Sequence, residues 1–97
     1  MIAVIVEIDV QPECLAEFIP RMELQAQNSV ALEPMCHQFD VWQDAESPEK
    51  VTLYEVYESR AAFDDHLATD HFKDFDSTVS RMLVSKSLRI LDLVHRG

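Results

Sequence analysis

The stretch Tyr54–Asp76, "YEVYESRAAFDDHLATDHFKDFD", changes its periodicity twice, and those changes set the order of elements in the chain around it. Its first residues continue an alternation begun at Val51. Val51, Leu53, Glu55 and Tyr57 fall on one side of a strand, and Thr52, Tyr54, Val56 and Glu58 on the other. Ser59 then offers a helix N-cap, because its hydroxyl can accept from a backbone N–H that the first turn leaves unpaired. Beyond it Ala62, Phe63, His66 and Leu67 share one side of a short helix. Thr69 or Asp70 can cap a second helix carrying Phe72, Phe75, Val79 and Met82 or Leu83.

The same stretch holds two histidines five residues apart. On a continuous helix that spacing turns the second side chain ~140° from the first, and no third ligand suggests itself, so no metal site is expected. His66 lies on the apolar stripe and is expected to point inward, where burial and a carboxylate together can tune an imidazole for proton transfer near neutral pH. Glu55, flanked on its strand face by Leu53 and Tyr57, needs a partner or a raised pKa, and is expected to orient His66. A buried Glu55–His66 hydrogen bond that only ties helix to sheet satisfies the same residues. His71 falls in the first turn of its helix, where the dipole disfavours a cation, so a neutral ring at a pocket rim is expected.

Working outward, Ile2, Val4, Val6, Ile8 and Val10 form one face of a first strand. Leu15, Phe18, Ile19, Met22 and Ala26 then mark a helix, in which Pro20 predicts a kink. In "CHQFDVWQD" His37, Phe39 and Val41 alternate against Cys36, Gln38, Asp40 and Trp42, and "AESPE" turns that strand into the next as a hairpin. A closing strand sets Leu88, Ile90 and Val94 against Arg89, Leu91 and Leu93. Strand, helix, two strands, helix pair, strand is an α+β order, the ferredoxin-like split βαβ with a four-stranded antiparallel sheet and helices on one face only. The uncovered face carries large apolar residues, and a second copy of the chain is the simplest cover, so a homodimer is expected.

Bulk properties narrow the function. The 97 residues, 47% of them hydrophobic, fit one domain over 1–97. A formal charge of -10, with only eight Lys and Arg, disfavours nucleic acid as a partner. The apolar start "MIAVIVEIDV" is too short for a membrane span and has no basic leader, which predicts a cytoplasmic protein without a membrane partner. Cys14 and Cys36 suggest neither a disulfide framework nor a zinc site.

"EPMCHQFDVWQD", "LYEVYES", "AAFDDH" and "TDHFKDF", in this order, resemble the antibiotic biosynthesis monooxygenase superfamily of dimeric α+β barrels. Met35 departs from the pattern, which has glycine in that turn, and a positive φ there would strain it. Chains with this histidine pattern include small quinol monooxygenases and isomerases of phosphorylated autoinducer-2. The resemblance implies catalysis without a metal or other cofactor, inside the barrel pocket. The haem-degrading branch fits less well, because its first-strand Asn and helical Trp are Glu7 and His66 here.

The expected function is a cofactor-independent monooxygenase acting on a quinol-like or other electron-rich small aromatic substrate. His66 would accept a proton, Glu55 would orient it, and Phe39, Tyr57, Phe72, Asn28 and His71 would contact the substrate. Isomerisation of a phosphorylated dicarbonyl compound, or ligand binding by a non-catalytic dimer, are the alternatives.

Overall fold

A computed structural model describes all residues 1–97. In chain order the elements are β1 (Ile2–Val10), α1 (Leu15–Leu32), β2 (Cys36–Gln43), β3 (Lys50–Tyr57), α2 (Arg60–Ala68), α3 (Asp70–Val79) and β4 (Leu83–Asp92), with short 3-10 turns at Pro12–Cys14 and Ser80–Met82. The four strands form one antiparallel sheet in the order β2-β3-β1-β4, and the three helices lie on one of its faces. This is the ferredoxin-like arrangement expected from the order of periodicities.

The helix-facing side of the sheet forms the core. Ile2, Val4, Val6, Ile8 and Val10 of β1 and Val51, Leu53, Glu55 and Tyr57 of β3 are all buried, as strict alternation requires. They pack under Phe18 and Met22 of α1 and Ala62 and Phe63 of α2. Pro20 does not interrupt α1: it lies on the exposed side of the second turn, where the carbonyl that loses its N–H partner can reach water. Gln25 and Ser29 extend the buried stripe as polar residues, with the Ser29 hydroxyl donating to the Gln25 carbonyl at 2.8 Å.

Both caps in the central stretch form. Ser59 Oγ accepts from the Ala62 N–H at 3.1 Å, and Thr69 Oγ1 accepts from the Phe72 N–H at 3.2 Å. Thr69 also closes α2, its own N–H and hydroxyl both donating to the His66 carbonyl. One extended residue is all that separates the two helices.

Two expectations change at β2. Cys36 pairs with Tyr57 and Gln38 with Val56, which leaves His37 as a bulge. Cys36 therefore joins Phe39 and Val41 on the core side, while His37 is exposed and pairs with Glu58. The preceding turn needs no left-handed residue, for no residue has positive φ and Met35 fits without strain. At the other end of the chain Val94 lies beyond β4 and is almost fully exposed, rather than alternating within the strand.

The second sheet face is open. Ala3 and Ile5 of β1, Tyr54 and Val56 of β3 and Leu91 of β4 adjoin there by register, and Trp42 of β2 is 62% exposed. No helix is long and apolar enough to cross a membrane.

Candidate functional site

Between the helices and the sheet lies a cavity of about 40 Å³. Its wall is mainly apolar, including Phe39, Phe63, Phe72 and Phe75, with Gln25, Glu55, His66, Asp76 and Lys86 as the polar groups. That volume exceeds the room a single water needs. On the side of edge strand β4 the wall residues Lys86 and Leu88 are exposed, which places the mouth between β4 and α3.

His66 is 2% exposed and ringed by aromatics. The Phe72 ring centroid is 5.1 Å away, that of Tyr57 5.4 Å and that of Phe63 6.1 Å, the last nearly parallel at 16°. Its Nδ1 lies 3.0 Å from each carboxylate oxygen of Glu33. A carboxylate only accepts, so Nδ1 carries the hydrogen and the neutral ring is left with a bare Nε2 that makes no hydrogen bond to the protein. Burial holds the pKa of His66 below its ordinary value, with the Glu33 hydrogen bond acting in opposition.

The orienting carboxylate is thus Glu33 rather than Glu55. Glu33 leaves α1 in an extended conformation, φ -112° and ψ 104°, as a residue preceding proline favours. The turn through Pro34 and Met35 starts β2 and leaves the carboxylate over α2 and α3. His71 Nε2 approaches the same carboxylate at 2.8 Å, but off the line of a good hydrogen bond. Although Glu33, His66 and His71 converge, no group of three His, Cys, Asp or Glu side chains is arranged to hold a metal ion.

Glu55 occupies another part of the wall, 3% exposed, where its Oε1 accepts from the Tyr57 hydroxyl at 2.6 Å. Burial raises its pKa to about 7, a rise that the Tyr57 hydrogen bond and the Lys86 charge only partly offset. The Tyr57 hydroxyl is itself pushed far above its ordinary range by burial and by Glu55. In the unfolded chain Glu55 titrates near 4.5, so between that pH and 7 the folded protein holds a proton that the unfolded chain has lost. Stability therefore falls as pH rises through this window, by on the order of 3 kcal/mol. Glu55→Gln, which keeps an acceptor for Tyr57, is expected to be more stable than the parent at pH 8 and to lose that advantage towards pH 5. Urea midpoints at both pH values measure this; an advantage independent of pH would contradict it.

The other expected contacts divide. Phe39 and Phe72 line the cavity, whereas Tyr57 is fully buried behind it and reaches the site through Glu55. Asn28 and His71 face a separate surface groove between α1 and α3, along with Arg21, Leu24, Gln25 and Asp74. Lys86, missed in the sequence, stands at the mouth with Nζ 5.9 Å above the Phe72 ring and 3.9 Å from Asp76 Oδ1. Only the register of β4 against β1, which sets Lys86 opposite Ile8 on the core side, reveals its direction.

The sequence model of the antibiotic biosynthesis monooxygenase family matches residues 1–77. Comparison with curated proteins gave no match. Among solved structures, a Nitrosomonas europaea protein assigned by name to the antibiotic biosynthesis monooxygenases superposes with a TM-score of 0.92 at 25% identity, over 98% of this chain and 100% of its own. A similarly named protein of Caulobacter crescentus gives 0.91 at 26% identity, over 97% and 90%. A conserved protein from Methanosarcina mazei Go1 gives 0.85 at 28%, over 92% and 88%. The family match spans most of the sequence and the superpositions extend it through β4, so the chain belongs to the antibiotic biosynthesis monooxygenase family.

Proposed function

We propose that this chain is a cofactor-independent monooxygenase for a quinol-like or other electron-rich phenolic substrate, with His66 as the base. The observation that carries the reading is the bare Nε2 of His66 beside an aromatic-walled cavity, its tautomer set by Glu33 on the opposite nitrogen. A phenolic O–H entering past Lys86 transfers its proton to Nε2, and the resulting anion reduces O₂. One oxygen atom is retained on the ring and the other leaves as water, with the substrate supplying all the electrons. Phe39 and Phe72 hold the ring, and the apolar wall keeps competing water away.

Oxygen uptake on adding a dihydroxynaphthalene, with one O₂ consumed per hydroxyquinone formed, tests this reading. No uptake with a series of such quinols would end it. One observation favours a second reading: Glu55 offers the cavity another group that titrates near neutrality, as acid and base on two sides of an enediol would require. Proton exchange into a phosphorylated dicarbonyl compound without oxygen use separates the two.

The same proposal includes a homodimer closed over the open sheet face, where Ile5, Trp42, Tyr54 and Leu91 would be buried. Light scattering is expected to give twice the chain mass, and Ile5→Glu to shift it towards the monomer. A monomeric parent at micromolar concentration would refute the dimer.

A further inference from the structure

The cavity and the α1/α3 groove open in different places, yet a row of proton-carrying groups runs between them. His66 borders the cavity, its Nδ1 meets Glu33, the Glu33 carboxylate lies 2.8 Å from His71 Nε2 without the alignment of a hydrogen bond, so that a small turn of either side chain completes the link, and His71 borders the groove. The side chain of His66 is 3% exposed, that of Glu33 13% and that of His71 17%, so exposure rises along the row from the cavity towards the groove.

The hydrogen bonds around His71 have a direction. Ser29 gives its only hydroxyl proton to the Gln25 carbonyl, so its oxygen can only accept from the Gln25 amide, 3.5 Å away. The amide Nε2 therefore faces Ser29 and its Oε1 faces His71 Nδ1, at 3.3 Å. Both ring nitrogens of His71 thus face acceptors, Gln25 on one side and Glu33 on the other. Such a site suits a ring that takes a proton from Glu33 at Nε2 and gives one up at Nδ1. The charge at Glu33 offsets the unfavourable helix dipole that the position of His71 in α3 implies.

We propose that Glu33 and His71 form a proton exit from the cavity, carrying the proton taken up by His66 to water in the groove between α1 and α3. When Nε2 of His66 accepts the substrate proton, its Nδ1–H bond breaks and that hydrogen moves to Glu33. Glu33 then passes a proton to His71 Nε2, and the His71 Nδ1 proton leaves to water, so nothing is oxidised or reduced and the number of protons is unchanged. A return proton reverses the row. Glu33 and His71 act through His66 and are positioning residues; of the three, only His66 touches the substrate. The inference rests on the reading of His66 as the base. The other charged and titratable groups facing His66 are Glu55 and Tyr57 from β3 and Lys86 from β4, and none of them continues the row.

Two measurements test it. In the resting protein, side-chain nitrogen NMR is expected to show His66 and His71 titrating as a coupled pair, each ring sensing the proton step of the other. Glu33→Gln, nearly the same in shape, should uncouple them. Independent titration of the two rings in the parent would overturn the proposal whatever the activity. In turnover, His71→Ala is expected to lower kcat by up to about 10²-fold with little change in KM, at the lower end of what a proton-transfer group contributes. Added imidazole should restore the rate in a saturable way, which a purely structural defect would not allow. A loss that imidazole leaves untouched, or no loss at all, would overturn the exit path. Coupled titration in a parent inactive towards quinols would instead sink the substrate reading and leave the proton path standing.

Discussion

His66→Ala is expected to lower kcat/KM for a quinol substrate by about 10²–10⁴-fold, the range over which a positioned base contributes. The substitution removes the only histidine lining the cavity, and it also strands the Glu33 carboxylate without its hydrogen-bonded partner. A control is therefore needed that keeps the volume but not the basicity, and His66→Gln serves. Both variants are expected to fail together. In the parent, burial keeps Nε2 available at lower pH than in an ordinary histidine, so the acid limb of kcat/KM should fall below 6.5. Full activity in His66→Gln, or an acid limb above that value, would remove His66 from the chemistry.

The largest effect on stability is expected at Phe18. It is fully buried where α1 crosses the sheet, and truncation to alanine is expected to cost about 3–5 kcal/mol. Against a total of roughly 5–15 kcal/mol for a domain this is a large share. The loss should come from both lost burial and a void, because Phe18 already borders the cavity and its removal would enlarge it. Urea unfolding at one fixed protein concentration measures it, which keeps any contribution of self-association constant. A loss below about 1 kcal/mol would mean that the helix layer collapses into the gap more freely than tight packing allows.

The fold was legible because its signals are local. Alternation in β1 and β3, the caps at Ser59 and Thr69 and the apolar stripe of α1 each lie within a few residues, and each formed as read. The bulge at His37 was not legible, since an alternating pattern gives no sign of where one residue will be left unpaired. The site was legible in part for the same reason. The inward direction of His66 follows from helical spacing, but its partner depends on a contact 33 residues away in sequence. Glu55, a strand neighbour of Tyr57, was the nearer carboxylate along the chain and the wrong one in space. The pair Glu33–Pro34 carried a usable signal, because proline fixes the preceding residue as extended and so directs its side chain out of the helix.

Thr69 closes one helix and opens the next within a single residue, so the angular offset between His66 and His71 is written into the length of that joint. Inserting one amino acid there, with the helical winding carried through, would turn α3 by ~100° and move His71 together with the apolar stripe of the same helix. Chain length at this point is thereby under tighter constraint than amino-acid identity: Ser or Asp could replace the cap, but an insertion or deletion would set the packing of α3 on the sheet against the approach of His71 to Glu33.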